Sequence, residues 1–225
     1  MLRVRVSELM DDPAVDPREL RQALDQLNRT NRLLGFERRL FEEVRRVAGS
    51  FSPSILDLGA GGGGFLQYAH SRTPGRNGSP LVALDFSPNA TAREKGDILV
   101  FLVGDARRVP LADESVDVVT CSLFLHHFDP PDVLRILREA ARVARCGIVV
   151  SDLTRSWPAW LLTWATTRLI SRSRLFHVDG PRSVRAAFTP AEFLEMAEQA
   201  GLNGARVRRS FPFRMTLSWR KVRAA

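Results

Sequence analysis

Cysteine occurs only twice in 225 residues, as Cys121 and Cys146. Neither has a partner at metal-ligand spacing, so a disulfide framework and a cysteine-built metal site are excluded, and a reducing, cytoplasmic setting is the simple expectation. No apolar run is long and uninterrupted enough to span a bilayer. The opening residues, Met1 to Glu8, lack the apolar centre of a secretory signal. Histidine is scarce too: His70, His126, His127 and His177 are the full set. No metal is expected from these spacings. Acidic residues are outnumbered, 25 against 33 basic, for a net charge of +8. That balance raises the question of nucleic acid, but the arginines are scattered along helical segments apart from a small cluster, Arg206, Arg208 and Arg209. A solvated arginine-rich surface accounts for the charge, and nucleic acid is not expected as a partner. With 44% hydrophobic residues over this length, the chain can bury one substantial core.

What is abundant is glycine in one place. The apolar stretch 54–58 runs through Asp57 into Gly59-Ala60-Gly61-Gly62-Gly63-Gly64. A strand that meets a turn and then a helix needs residues without Cβ where the backbone bends and lies against a ligand, so this stretch predicts a nucleotide-type pocket. Three more strand candidates follow in step. Leu81-Val82-Ala83-Leu84 ends at Asp85, placed to take both hydroxyls of a ribose; 98–103 ends at Gly104-Asp105-Ala106; 116–122 leads into Leu123-Phe124-Leu125-His126-His127-Phe128. Dinucleotide enzymes also use a glycine loop after a strand, but Asp57 ahead of the glycines and the Gly-Ala-Gly-Gly-Gly-Gly order disfavour a NAD-dependent oxidoreductase.

In that order, the motifs resemble the class I S-adenosylmethionine-dependent methyltransferases, and within them the subgroup that includes quinone-biosynthesis enzymes. The resemblance covers 51–151. It implies S-adenosylmethionine as cofactor, with Asp57, Gly59, Ala60 and Gly61 along the methionine part, Asp85 and Phe86 at the ribose, and Gly104, Asp105 and Ala106 at the adenine. It also implies the edge from Cys121 to Leu123 at the sulfonium. N-terminal helices often cover the cofactor in this class, making Arg32, with Asn31 and Arg38, candidates for the methionine carboxylate. The polar connection 71–80 is longer than the fold needs and reads as a mobile surface loop.

Alternating strands and helices predict an α/β, Rossmann-like, seven-stranded, mostly parallel sheet with a C-terminal antiparallel hairpin. We expect one domain over 1–225: an N-terminal helical cap (1–50), a cofactor-binding core (51–152), a helical lid inserted after strand 5 (153–188), and a C-terminal helix and strand pair (189–225). Asp16-Pro17 opens a helix that ends near Gly35, and a second runs to Gly49. Ser87-Pro88 and Asp129-Pro130 open two more, and Thr189-Pro190-Ala191-Glu192 is a capping box. Trp157, Trp160 and Trp164 recur at helical spacing. Core packing is the default for such a stripe, an apolar wall over an acceptor the alternative, and docking on a membrane surface a third reading that is not favoured.

Methyl transfer from a sulfonium needs alignment and a nucleophilic acceptor. Ionising a phenol at neutral pH costs about 4 kcal/mol unless a base takes its proton. Histidine suits that task, so His126, His127 and His177 are the catalytic candidates; adjacent side chains diverge, so at most one of His126 and His127 is expected to face the acceptor. His177 lies in the polar, turn-rich 176–185, with Asp179 to orient it and Arg182 or Arg185 to meet an acidic group. Asp152 is a further candidate. The expected reaction is O-methylation of a small aromatic or polyketide-like hydroxyl. C-methylation of a quinone-type ring is the alternative, and a non-catalytic binding module with the same fold is the reading from another class. N-methylation is less favoured, because strand 4 ends in Cys121-Ser122-Leu123-Phe124 rather than an Asn/Asp-Pro-Pro-aromatic motif.

Overall fold

The computed structural model describes residues 1–12, 14–73, 79–87 and 99–222. Its strands are β1 Ile55–Leu58, β2 Leu81–Asp85, β3 Leu99–Val103, β4 Val116–Ser122, β5 Ala144–Leu153, β6 Arg206–Ser210 and β7 Arg214–Arg220. The helices among the described residues are α1 Pro17–Leu33, α2 Phe36–Ala48, α3 Gly64–Ser71, α4 Pro130–Val143, α5 Trp157–Ile170, α6 Arg174–Ala186 and α7 Pro190–Gln199. One sheet holds all seven strands in the order β3-β2-β1-β4-β5-β7-β6. Strands β1 to β5 are parallel, and β7 runs antiparallel to both β5 and β6. This is the Rossmann-like sheet with a closing hairpin that the alternation predicts.

Burial on both faces explains why β1 and β4 are almost continuously apolar. On one face, α2 inserts Leu40, Phe41, Val44 and Val47 against Ile55, Leu81, Val118 and Val149. On the other, Val133, Ile136 and Leu137 of α4 and Phe193 and Met196 of α7 meet Leu56, Val119 and Ile148. Helix ends follow local chemistry. Asp16 accepts from the Arg18 N–H beside Pro17, and Thr189 and Glu192 form the reciprocal capping box. Strand order reverses between β1 and β4, which opens the crevice at the carboxyl ends of the strands.

Two expectations change in the fold. The stretch 176–185 is not turn-rich coil but most of α6, because Leu175, Phe176 and Val184 are buried and tertiary packing outweighs the polar composition. The tryptophan stripe is not core: Trp157 is 64% and Trp164 41% exposed, while α5 buries only Ala159 and Thr167. Helix α5 instead meets α6 where Gly180 lets the backbones approach, since a Cβ there would stand 2.9 Å from Thr167 Cγ2. Strand β5 starts at Ala144, opposite an irregularity in β4. The middle of the loop read over 71–80 and the helix opened at Ser87-Pro88 lie outside the described residues.

The first twelve residues run across the carboxyl end of the sheet. The Val4 N–H donates to Arg185 O, and the Arg3 guanidinium donates to Ala186 O, His126 O and Phe128 O. Helix α1 leans on the start of α3, where a Cβ on Gly64 would approach Asn28 Oδ1 to 3.1 Å.

Candidate active site

The glycine loop leaves β1 in left-handed conformations that favour glycine, φ +64° at Gly59 and +52° at Gly61. The Gly59 and Ala60 N–H groups donate to Leu84 O at 2.8 and 3.2 Å, tying the loop to β2. Asp85 then grips it: the Gly61 N–H donates to Oδ2 and the Ser87 N–H to Oδ1, both at 2.9 Å. A carboxylate oxygen can accept more than one bond, so this arrangement still leaves Asp85 acceptor capacity for a diol. A Cβ on Gly61 would meet nothing within 4 Å, whereas one on Gly59 would lie 2.1 Å from Phe124 Cδ2.

Asp57 is buried at the end of β1, where the Thr120 hydroxyl donates to Oδ1 at 2.8 Å. Burial pushes its carboxyl up to about 7, against the Thr120 bond and helped by the charge of Asp85. A buried carboxylate that has no cation of its own among the described residues, beside a bare backbone bend and a second carboxylate, fits a cationic ligand that carries a diol. The donor and acceptor set is therefore compatible with S-adenosylmethionine.

The other cofactor candidates are spread more widely. Phe86 is exposed after β2, and the Gly104 N–H donates to Asp85 O at 3.0 Å. Asp105 is held by Arg107, whose N–H and Nε bond Oδ1 at 2.9 and 3.0 Å and whose Nη2 bonds Oδ2 at 2.8 Å, keeping the carboxyl below its ordinary range. An adenine amino group there would share its acceptor with a guanidinium. Ala106 is buried beside it. The Cys121 thiol is sealed in the core and pushed up by burial, which leaves any cofactor contact there to the main chain.

Arg32 is drawn not into the loop but to Glu37, 3.4 Å away, and Arg38 pairs with Glu42. A cation that does reach the sheet's carboxyl edge is one that sequence reading missed, Arg214. It donates to Asn31 Oδ1 at 2.7 Å and Ser122 Oγ at 3.4 Å and lies 4.0 Å over the Phe36 ring. Burial lowers it to about 10, against the pull of Asp152, so it stays charged at neutral pH. Its position at the start of a hairpin strand carries no sequence signal for a site 92 residues upstream.

His126 and His127 do not diverge. A single 3-10 turn, Leu125–His127, brings their rings together, centroids 4.4 Å apart and planes tilted by 30°. His126 is buried with Nδ1 2.7 Å from Asp152 Oδ1, and its N–H donates to Asp152 Oδ2 at 3.1 Å. Its Nε2 faces Glu8 Oε1 at 3.5 Å, and His127 Nε2 faces Glu8 Oε2 at 4.0 Å. Burial opposes charge on the His126 ring, but the carboxylates of Asp152 and Glu8 outweigh it and push the ring up to about 10. Burial likewise opposes charge on Glu8, and its hydrogen bonding and attraction to His126 hold it below the ordinary value. Glu8, His126 and His127 line a cavity of about 400 Å³ with Arg5, Leu9 and Asp12. Glu8 was invisible in the sequence because only the fold brings position 8 to position 126.

His177 stands apart from this group. It lies in α6 with Nε2 2.7 Å from Ser171 O, and Asp179, expected to orient it, instead accepts the Leu9 and Met10 N–H groups at 2.8 and 2.9 Å. A carboxylate facing two backbone donors satisfies more bonds than one facing a single imidazole. Arg182 donates to Ser7 O at 3.1 Å and so also serves the N-terminal segment. His70 is exposed on α3.

Residues 56–150 match the methyltransferase domain family. The chain is 32% identical over 154 residues to a malonyl-[acyl-carrier protein] O-methyltransferase of Pectobacterium atrosepticum, covering 59% of this chain and 58% of that protein. It is 38% identical over 111 residues to a demethylmenaquinone methyltransferase of Beutenbergia cavernae, covering 47% and 42%. The chain thus spans about half the length of these curated relatives. Among solved structures, the plantazolicin methyltransferase BpumL in complex with SAH superposes with a TM-score of 0.70 at 18% identity, covering 94% of this chain and 92% of that one; this likeness concerns the fold.

Proposed function

We propose, on the premise that this chain belongs to the class I S-adenosylmethionine-dependent methyltransferases, that it methylates the oxygen of a small aromatic or polyketide-like hydroxyl. One observation carries the reading. The adjacent ends of β1 and β2 hold Asp57 and Asp85 around the glycine loop, while the turn after β4, on the other side of β1, presents the His126–His127 pair to a cavity.

The bound cofactor supplies an activated methyl group, so the work left to the chain is alignment and proton removal. Asp85 fixes the ribose and holds the loop through Gly61 and Ser87. Asp57 places a negative charge near the cationic end of the cofactor. His126, charged near neutrality, orients rather than accepts. His127, its side chain 26% exposed at the cavity, is the histidine positioned to take an acceptor proton. The segments 1–50 and 153–188 are read as cap and lid of this one domain.

C-methylation of a quinone-type ring is the second reading, supported by the similarity to the demethylmenaquinone methyltransferase. Incubating the chain with S-adenosylmethionine and a panel of phenols, hydroxylated polyketides and demethylated quinones, and following SAH release and product mass, separates the two. Methylated oxygen supports the first, a new carbon–methyl bond the second. Cofactor binding with no turnover on any acceptor class would favour a binding module.

A further inference from the structure

We propose that Glu8, His126 and His127 together bind a divalent transition-metal ion of the zinc type, with Asp152 orienting His126 from behind. The site opens on the cavity read above as the acceptor's, but ion binding itself does not depend on that reading.

The distances separate two kinds of contact. The Nδ1 side of His126 makes a direct hydrogen bond to Asp152 at 2.7 Å. On the other side the spacings are longer, 3.5 Å from Glu8 Oε1 to His126 Nε2 and 4.0 Å from Glu8 Oε2 to His127 Nε2. The first is a long hydrogen bond and the second lies beyond hydrogen-bond reach. They suit ligands that share an ion: with metal–ligand bonds of about 2.0–2.1 Å, neighbouring ligand atoms of a tetrahedral site stand about 3.3 Å apart. One donor atom from each of the three residues lies within 4.8 Å of the others. Rotamer adjustment that closes the widest of these spacings, by up to about 1.5 Å, brings all three donor atoms to tetrahedral spacing around one ion.

The surroundings are those of a built site. Two imidazoles and one carboxylate are a ligand set suited to zinc and its neighbours in the first transition row. His126 has the support expected of a ligand histidine, a carboxylate on its other nitrogen that fixes the ring and makes Nε2 the metal-facing atom. Glu8 is held in turn by the Ser183 hydroxyl, which donates to Oε1. Three ligands leave at least one position, and the cavity lies alongside to admit water or an acceptor oxygen there. An ion in this place would lower the acceptor hydroxyl's pKa directly and occupy His127 as a ligand rather than a base.

The test uses the tag-free full-length chain, stripped with chelator and titrated at pH 8 with Zn²⁺ by calorimetry and with Co²⁺ by visible absorption. Expected are one ion per chain, micromolar or tighter, and the absorption of four-coordinate Co²⁺. Glu8→Gln and His127→Asn should each weaken binding at least tenfold, and Asp152→Asn about 10–100-fold. His70→Ala and His177→Ala should bind as the parent chain does. Absence of binding at 100-fold molar excess of either ion, or unchanged binding by Glu8→Gln and His127→Asn, overturns the proposal. Should those variants fail to fold, imidazole ¹⁵N shifts of the parent chain decide: Zn²⁺ must move His126 and His127 and leave His70 and His177 in place. S-adenosylmethionine affinity is measured separately in ion-free buffer, so loss of cofactor binding counts against the methyltransferase reading and not against the ion site.

Discussion

His126 Nδ1 lies 2.7 Å from Asp152 Oδ1, and both side chains are closed to solvent. The pair ties the turn after β4 to the end of β5 and so fixes how the two meet. Its charge state sets a stability profile. The His126 ring is pushed from 6.5 to about 10. A raised histidine stabilises the fold fully below its unfolded value, and that contribution is lost as pH rises through the folded value. In ion-free buffer, urea unfolding between pH 6 and 10 should therefore show stability falling as pH approaches 10. The slope should flatten in His126→Asn. Removing the partner, Asp152→Asn, leaves a buried imidazole without its carboxylate and should cost about 3 kcal/mol at pH 7.

Asp57 titrates near 7 in the ligand-free chain. A cationic ligand favours its ionised form, so binding must release protons near neutrality. Calorimetry of S-adenosylmethionine in buffers of different ionisation enthalpy should show that release at pH 6.5, with affinity rising toward pH 7 and levelling above it. Asp57→Asn should bind more weakly and without proton release.

Asp85 holds the loop through both oxygens, which accept N–H groups at 2.9 Å, and the same carboxylate is the one proposed to take the ribose. Asp85→Ala should weaken cofactor binding about 10–100-fold, the range for lost hydrogen bonds to a charged group. Retention of the parent affinity would remove Asp85 from the ribose.

Gly59 and Phe124 are coupled by space. Gly59→Ala adds a Cβ that would stand 2.1 Å from the Phe124 ring, at a backbone φ of +64°. Thermal melts should show clear destabilisation. Adding Phe124→Ala should recover the steric part and leave about 1 kcal/mol of left-handed backbone cost. A double variant no more stable than Gly59→Ala alone would show that the ring is not what resists the Cβ.

The histidines should divide by position. His127→Asn should lower kcat at least 100-fold, whether the ring accepts the proton or holds an ion. His177→Ala should leave kcat within about threefold, because its Nε2 is committed to the Ser171 carbonyl. Full activity of His127→Asn would leave alignment alone to carry transfer.

Much of the fold is legible in residue order because its causes are local. Apolar strand runs, the Gly59–Gly61 bend, the Asp16 and Thr189 caps and the Gly35 and Gly49 stops each act within a few positions. The strand-end carboxylates could be placed for the same reason, since a parallel sheet aligns the ends of β1, β2 and β3. Where composition was weighed without contacts, the reading failed. The polar 176–185 became helix through the burial of Phe176 and Val184, and Trp157 and Trp164 of α5 stand exposed instead of packing into the core.

The sequence by itself determined the sheet, its switch point and the carboxylates around the glycine loop, because strand period, turn chemistry and capping operate over short range. Only the tertiary structure decided that Glu8 meets His126 and His127, that Arg214 reaches Ser122, and that Asp179 serves Leu9 and Met10 instead of His177. Those meetings join positions 92 to 170 apart, and Arg214 reaches Asn31 across 183. Short-range preference says nothing of such pairs; the demand that buried polar groups find partners, once the chain has closed around them, selects which pairs form.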